Sequence, residues 1–280
     1  MEPSSVPPVG RLLRDWRAAR RFSQMDLAFE AGLSTRHLSC IETGKAQASR
    51  DAIARLSDAL ALPLRDRNAL MVAAGYAPKY TESTLGAPEL EQVQKAIALI
   101  LAHQDPYPAF VLNRHWDVLM ANDSAVRINQ LVMRGRQSPH GNILHQVFDP
   151  DDFRAVIVNW PEVAEKFIRH LHQEIATSPS DQRARQLLDD ILRYPGVPAD
   201  WRFSGGEAPA SPILTLTFRS PLGELRFFET ITTFATPRDV TLDDIRIDCA
   251  FPADEHTANI CAQLAQEARA FSDEVATALS

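Results

Sequence analysis

The sequence predicts an α+β protein in two parts: an all-α head, then a small antiparallel sheet with helices on one side. Three observations predict this. From residue 11 to 75, apolar residues recur at helical spacing between short stops. Past residue 105 the texture changes to short runs rich in Thr, Phe and Ile, separated by turn residues. Charge divides too, nearer the end of the helical head. Residues 1–80 carry 12 Lys and Arg against 8 Asp and Glu, whereas the remaining 200 carry 17 against 28. The overall net of −7 thus averages a basic head and an acidic body, a pattern that suits a DNA-contacting module joined to a part that stays off DNA; chance unevenness would give the same split. A chain of 280 residues suits two domains at roughly 100–200 residues each.

The elements follow in order. Leu12, Leu13, Trp16 and Ala19 repeat at helical spacing. A turn at 20–22 leads to Ser23, an N-cap residue type, and Leu27, Ala28 and Ala31 form the next apolar stripe. Gly32 ends that helix, Ser34 caps the following one, and Leu38 and Ile41 are its inner face before Gly44 closes it. Ile53, Leu56 and Leu60 read as one helix and Arg65 to Ala74 as another, with a break at 75–78. Residues 79–88 are polar, with Gly and Pro, and read as a linker. Pro88 to Ala102 is again helical. Tyr107 to Leu112 and Trp116 to Met120 read as strands joined by a tight turn at 113–115. Helices are expected over Asn122 to Met133, Ala155 to Ile175 and Asp181 to Arg193. Strands are expected over Ile213 to Arg219, Glu224 to Phe234 and Arg246 to Phe251, the first two joined by a hairpin at 220–223. The tail, Asn259 to Leu279, is amphipathic, with Ile260, Leu264, Ala268, Phe271, Val275 and Leu279 on one face. The domain expectation is therefore a head over 1–80, a linker helix over 81–105, the sheet domain over 106–252 and a C-terminal helix over 253–280.

Composition narrows the function classes. No apolar run approaches the ~18 residues of a membrane span, and the start lacks a basic, then apolar, leader. Cys40, Cys249 and Cys261 are odd in number, far apart and without metal-ligand spacing, which fits a reducing cytoplasm. His170 and His172 fall on an expected helix, where their directions diverge by about 200°, so no metal is expected. Asp151-Asp152, Asp189-Asp190 and Asp243-Asp244 read as caps or solvated faces. Gly205-Gly206 reads as a loop. There is no nucleophile elbow, phosphate loop or dinucleotide fingerprint, so neither an enzyme nor a cofactor is expected.

The stretch from 23 to 45 has what a helix-turn-helix needs. Ala28 and Ala31 are small where two helices cross, Gly32 supplies the turn, and Ser34, Thr35, Arg36 and His37 make a polar start to the second helix. Thr35, Arg36, Ser39 and Cys40 lie off the apolar side. Arg36 is the best base reader, since its planar fork matches both guanine acceptors. Gln24 and Lys45 are candidate phosphate contacts. Double-stranded DNA is the expected partner, and a homodimer follows from geometry, because two half-sites ~34 Å apart multiply a specificity that one helix cannot supply. A helix-turn-helix used for protein contacts without DNA, and a DNA head fused to an enzyme, are the alternatives.

The string Gln24-x-x-Leu27-Ala28-x-x-Ala31-Gly32-Leu33-Ser34-x-x-x-Leu38-Ser39-x-Ile41-Glu42-x-Gly44-Lys45 resembles the XRE/Cro-type repressor domain. That resemblance implies that Arg17 and Glu42 form a structural ion pair. Cys40 departs from the pattern, standing where such regulators often carry a polar base-contacting side chain. Further on, Arg50-Asp-x-Ile53, Arg67-Asn68-Ala-Leu70, Gly75-Tyr-Ala-Pro78, Pro106-Tyr-Pro108, Asn113-Arg-His115-Trp116-Asp117, Ala121-Asn122 and Tyr194-Pro195-Gly196 resemble MmyB-like regulators. This implies a PAS-like α/β regulatory domain that binds a hydrophobic or acyl-chain-like, fatty-acid-like ligand. For a pocket in the expected sheet, Phe110, Leu112, Trp116, Phe167, Leu171, Leu216, Phe218, Phe228 and Ile231 are the candidate lining, although each taken alone reads more readily as plain core. Arg114, His115, Asn122 and Arg169 are candidates to orient a polar head, with Asn122 equally suited to cap a helix. The helices at 88–102 and 259–279 are candidate dimer surfaces.

Overall fold

The computed structural model describes residues 8–197 and 213–278. Gly205-Gly206 and the side chains of Val275 and Leu279 lie outside the described residues. The chain forms two compact units. Among the described residues, one comprises 8–84, 171–186 and 235–243; the other comprises 85–170, 187–197, 213–234 and 244–278.

The first unit opens with five helices: α1 (Pro8–Ala19), α2 (Gln24–Glu30), α3 (Thr35–Thr43), α4 (Arg50–Ala59) and α5 (Leu64–Ala73). Each boundary has a local cause. Ser23 accepts from the Asp26 amide at 3.1 Å, and Asp26 accepts in return from the Ser23 amide at 3.2 Å, a reciprocal cap at the start of α2. Ser34 caps α3 through the His37 amide and Ser49 caps α4 through the Ala52 amide, both at 3.1 Å. Gly44 ends α3 at φ +77°, a left-handed conformation that costs a glycine nothing. The buried stripes of the helices then form one core around Leu13, Trp16, Leu27, Leu38, Ile41 and Ile53.

Residues 79–84, part of the stretch expected as a linker, are tied to this unit. The Lys79 and Tyr80 amides donate to Asn68 Oδ1 at 2.9 and 3.0 Å. The Thr81 hydroxyl donates to Asp239 at 2.7 Å. Burial alone would raise the Asp239 carboxyl, but the donors of Thr81, Ser83 and Thr241 hold it below its ordinary value. Asp243 accepts from the Leu64 amide at 2.8 Å and so caps α5. Ser180 donates to the buried Asp66 at 2.7 Å.

In the second unit, α6 (Glu91–Gln104) precedes β1 (Ala109–Leu112), β2 (Val118–Ala121), α7 (Asp123–Val132) and α8 (Ile143–Phe148). The helices α9 (Trp160–Thr177) and α10 (Gln182–Leu192) follow, each with residues in both units. Next come β3 (Leu216–Ser220), β4 (Gly223–Thr232), the short α11 (Val240–Asp244), β5 (Arg246–Pro252) and α12 (Glu255–Ala278). The five strands form one antiparallel sheet in the order β2-β1-β5-β4-β3.

Register decides what each face carries, because side chains alternate along a strand. Phe110 pairs with Asp248, Glu229 with Ala250, and Leu216 with Phe227, so these residues share a face. Phe228 pairs with Phe251 on the opposite face, where the rings stack at 5.5 Å.

Three expectations needed correction. The helix expected from Ala155 starts at Trp160. Val158 instead donates to the Thr217 carbonyl at 2.8 Å, so this stretch runs alongside β3. The helices α8 and α11 were not expected at all. The tail helix buries Thr257, Cys261 and Ala265 rather than the stripe through Ile260 and Leu264, and Phe271 is exposed. Burial pushes the Cys261 thiol up to about 11, which leaves it protonated and unreactive.

Candidate nucleic-acid interface and ligand cavity

The head presents α3 on a tightly braced scaffold. Glu42 is fully buried. Its two oxygens accept from Arg17 at 2.8 and 3.2 Å and from the Gln24 amide at 2.7 Å. Arg17 also donates to the Phe22 carbonyl at 3.2 Å, which fixes the turn into α2. One carboxylate thereby joins α1, α2 and α3. Gln24 was read as a phosphate contact; the structure commits one of its amide hydrogens to Glu42, and an amide has a second to give. Gly10 was not singled out from the sequence. A Cβ there would lie 2.5 Å from the Glu42 carbonyl oxygen, so only glycine lets α1 approach α3 this closely.

The reading surface starts where α3 starts. Ser34, Thr35 and Arg36 are exposed, and His37, Ser39 and Cys40 are partly exposed. Arg36 makes no hydrogen bond or ion pair with another described residue. Lys45 is exposed just beyond the Gly44 cap, its amide bonded to the Cys40 carbonyl at 2.8 Å.

In the second unit, a cavity of about 70 Å³ lies on the sheet face that carries Phe110. Of the residues named from sequence, Phe110, Phe167, Leu216 and Phe218 line it. The others do not. Phe228 is on the far face by alternation, and Ile231 is half exposed at the end of its strand. Leu112 is buried opposite Arg246, two residues along β1. Trp116 is buried edge-on to Phe167 and His170, at 5.3 and 5.4 Å between centroids. Leu171 is buried one helical turn beyond Phe167.

Nor do the polar candidates reach the cavity. Asn122 caps α7 through the Ala125 amide at 2.9 Å and holds β1 through the Ala109 amide at 3.0 Å. Arg169 pairs with Glu165 one turn back, and Arg114 lies 3.8 Å from Asp244. The His115 amide is bound within the turn by Asn113. The acids that do line the cavity, Glu229 and Asp248, went unremarked in the sequence. The signal was present for Glu229, whose alternate neighbours Phe227 and Ile231 are apolar; Asp248 stands between Arg246 and Ala250, a pattern that does not mark its face.

A second, more open depression lies among α6, β2, α7 and α12. Its central acid, Asp105, is already bound by Ser124, Arg127 and Arg269.

Comparison with known proteins agrees with both parts. Residues 8–70 match the model of a helix-turn-helix domain. Residues 93–264 match the model of the MmyB-like transcription regulator ligand binding domain. No curated protein matches the chain. Among solved structures, one described as an RNA-binding Light-Oxygen-Voltage receptor aligns at 13% identity, covering 94% of this chain and 64% of that one, with a TM-score of 0.23. That likeness is too weak to inform the fold, and the chain spans about two thirds of that protein's length. The braced head and the sheet domain, each matched by its own family model, place this chain in the MmyB-like transcription regulators, with a helix-turn-helix DNA-binding domain ahead of the ligand-binding domain.

Proposed function

We propose that the protein is a dimeric, ligand-responsive regulator that reads DNA with the N-terminal half of α3. The observation that carries this is Arg36: exposed, without a partner among the described residues, and within the first turn after the cap that fixes the helix start. Thr35 and Ser39 read beside it, and Lys45 and the Gln24 amide meet the phosphates on either side. Cys40 faces the same groove and contributes shape. Two heads bind half-sites about one helical turn apart. The cavity takes a small molecule with an apolar body, and its binding biases the spacing of the two heads. The matched families are regulatory, and no catalytic step is proposed.

Footprinting across the genome would supply the operator, and Arg36→Ala then tests the assignment. Loss of roughly 1–3 kcal/mol confined to one base position is expected of a base reader. Uniform weakening at every position would make Arg36 a phosphate contact instead. Sedimentation with and without operator tests the assembly; a monomer at micromolar concentration in both conditions would end the dimer model.

A further inference from the structure

Two carboxyl groups line the cavity among its phenylalanines. Asp248 on β5 is 7% exposed, and its Oδ1 has no hydrogen-bond partner among the described residues. Glu229 on β4 is partly buried and lines the same wall. Asp248 pairs with Ile231 and Glu229 with Ala250, so the two acids are diagonal neighbours on adjacent strands, typically about 7–8 Å apart and within side-chain reach. The remaining wall is largely apolar, with Phe110, Phe153, Phe167, Phe218 and Phe227. Lys166, exposed on α9, draws both carboxyls toward ionisation but hydrogen-bonds to neither.

The other buried acids among the described residues each have at least one donor: Arg17 and Gln24 for Glu42, Ser180 for Asp66, Thr81 for Asp239, and Ser138 for Asp152, whose second oxygen is bare. A carboxyl buried without a donor is costly, and here two share one apolar cavity. We propose that this cavity binds a small molecule with an apolar body and a protonated amine, the ammonium held between Asp248 and Glu229 and the body against the phenylalanines. This rests on reading the cavity as the ligand site. An ammonium brings the N–H donors that the two acids lack among the described residues, and adds to the positive charge that Lys166, and Arg246 on the same face of β5, already supply from a distance; the aromatic walls favour a cation further. The fatty-acid class implied by the resemblance would bring a third carboxylate toward two others in a low-dielectric site. A cavity of about 70 Å³ is small beside the usual ~300–1,000 Å³ of ligand pockets, so the body is of the order of one ring or a short chain.

The acids also give the binding a pH signature. Burial and the neighbouring Glu229 push Asp248 up to about 8, and Lys166 draws it back. Burial raises Glu229 as well. In the free site Asp248 therefore holds its proton near neutrality. A bound ammonium favours the ionised carboxylate, so binding releases protons and tightens with rising pH while the amine stays charged.

The test is calorimetric titration of the full chain with phenethylamine, phenethyl alcohol and hydrocinnamate, which share a ring and differ in the head group. The expected result is that the amine binds about tenfold or more tighter than the other two. It should release protons, and tighten between about pH 6.5 and about pH 8.5. Asp248→Asn should cost the amine about tenfold and leave the alcohol within about twofold. Glu229→Gln should show the same selectivity with a smaller loss, and it carries the comparison if Asp248→Asn fails to fold. If hydrocinnamate or the alcohol binds as tightly as the amine, or both variants keep full amine affinity, the head-group assignment is wrong while the cavity remains a ligand site. If none of the three probes binds, both readings fall.

Discussion

The head and the sheet domain each bury an acid, and they treat it in opposite ways. In the head, Glu42 has no exposure, yet donors from two other helices reach both of its oxygens. In the sheet, Asp248 has almost none, and one of its oxygens has no donor. Desolvation works against the charge in both places, so the partners make the difference. The first acid is a structural joint, fixing three helices so that α3 can present Arg36. The second lines a cavity and lacks an internal joint to make, which is why it is better assigned to recognition than to architecture.

Removing a partner from the head should produce the largest effect. Arg17→Ala leaves Glu42 buried with the Gln24 amide alone, and is expected to destabilise the head by about 3–5 kcal/mol. Urea unfolding followed by helical circular dichroism measures it, and a loss below about 1 kcal/mol would mean that Glu42 does not depend on the pair. The sheet acid should respond with the other sign. Asp248→Asn removes a carboxyl that resists ionisation, so stability should rise rather than fall. The folded pKa of about 8 lies above the unfolded value near 3.8, so the folded state binds the extra proton between them. The contribution of Asp248 to stability therefore declines as pH climbs from about 4 to about 8, and the advantage of the variant grows over that window. Melting temperatures of both proteins across that range would show it; parallel curves would mean that Asp248 is already ionised and partnered. A milder change to the Glu42 joint than Arg17→Ala is Gly10→Ala, in which the new methyl meets the Glu42 carbonyl oxygen at 2.5 Å. Displacing α1 pulls Arg17 from its partner, at an expected cost of about 1–3 kcal/mol. The same urea titration would read it, and no change would show that α1 can slide without loosening the joint.

Legibility in the sequence followed the range of the interactions. The caps at Ser23 and Ser34 and the stop at Gly44 were readable because each is satisfied within a few residues. The Arg17–Glu42 pair spans 25 residues and was named from the family pattern, whereas the addition of Gln24 to it was not. The close approach at Gly10 left no mark beyond an ordinary glycine in a helix. In the second unit the strands were found where Thr, Phe and Ile cluster. The candidate lining is only partly recovered: alternation puts Phe228 on the other face, and Ile231, on the correct face, lies half exposed at the end of its strand. The early start given to α9 failed because Val158 finds its partner at Thr217, a contact that helical periodicity cannot register.

By itself, then, the sequence determined the helix-turn-helix: its helix starts, its stops, its inner face and the polar turn that protrudes. Those features rest on hydrogen bonds and side-chain spacing confined to a few residues, so composition and order suffice. What only the tertiary structure decided is the pairing of β1, β4 and β5 that sets Phe110, Glu229 and Asp248 on one wall. That placement depends on strand register across more than a hundred residues, where a slip of one position would turn each acid to the other face.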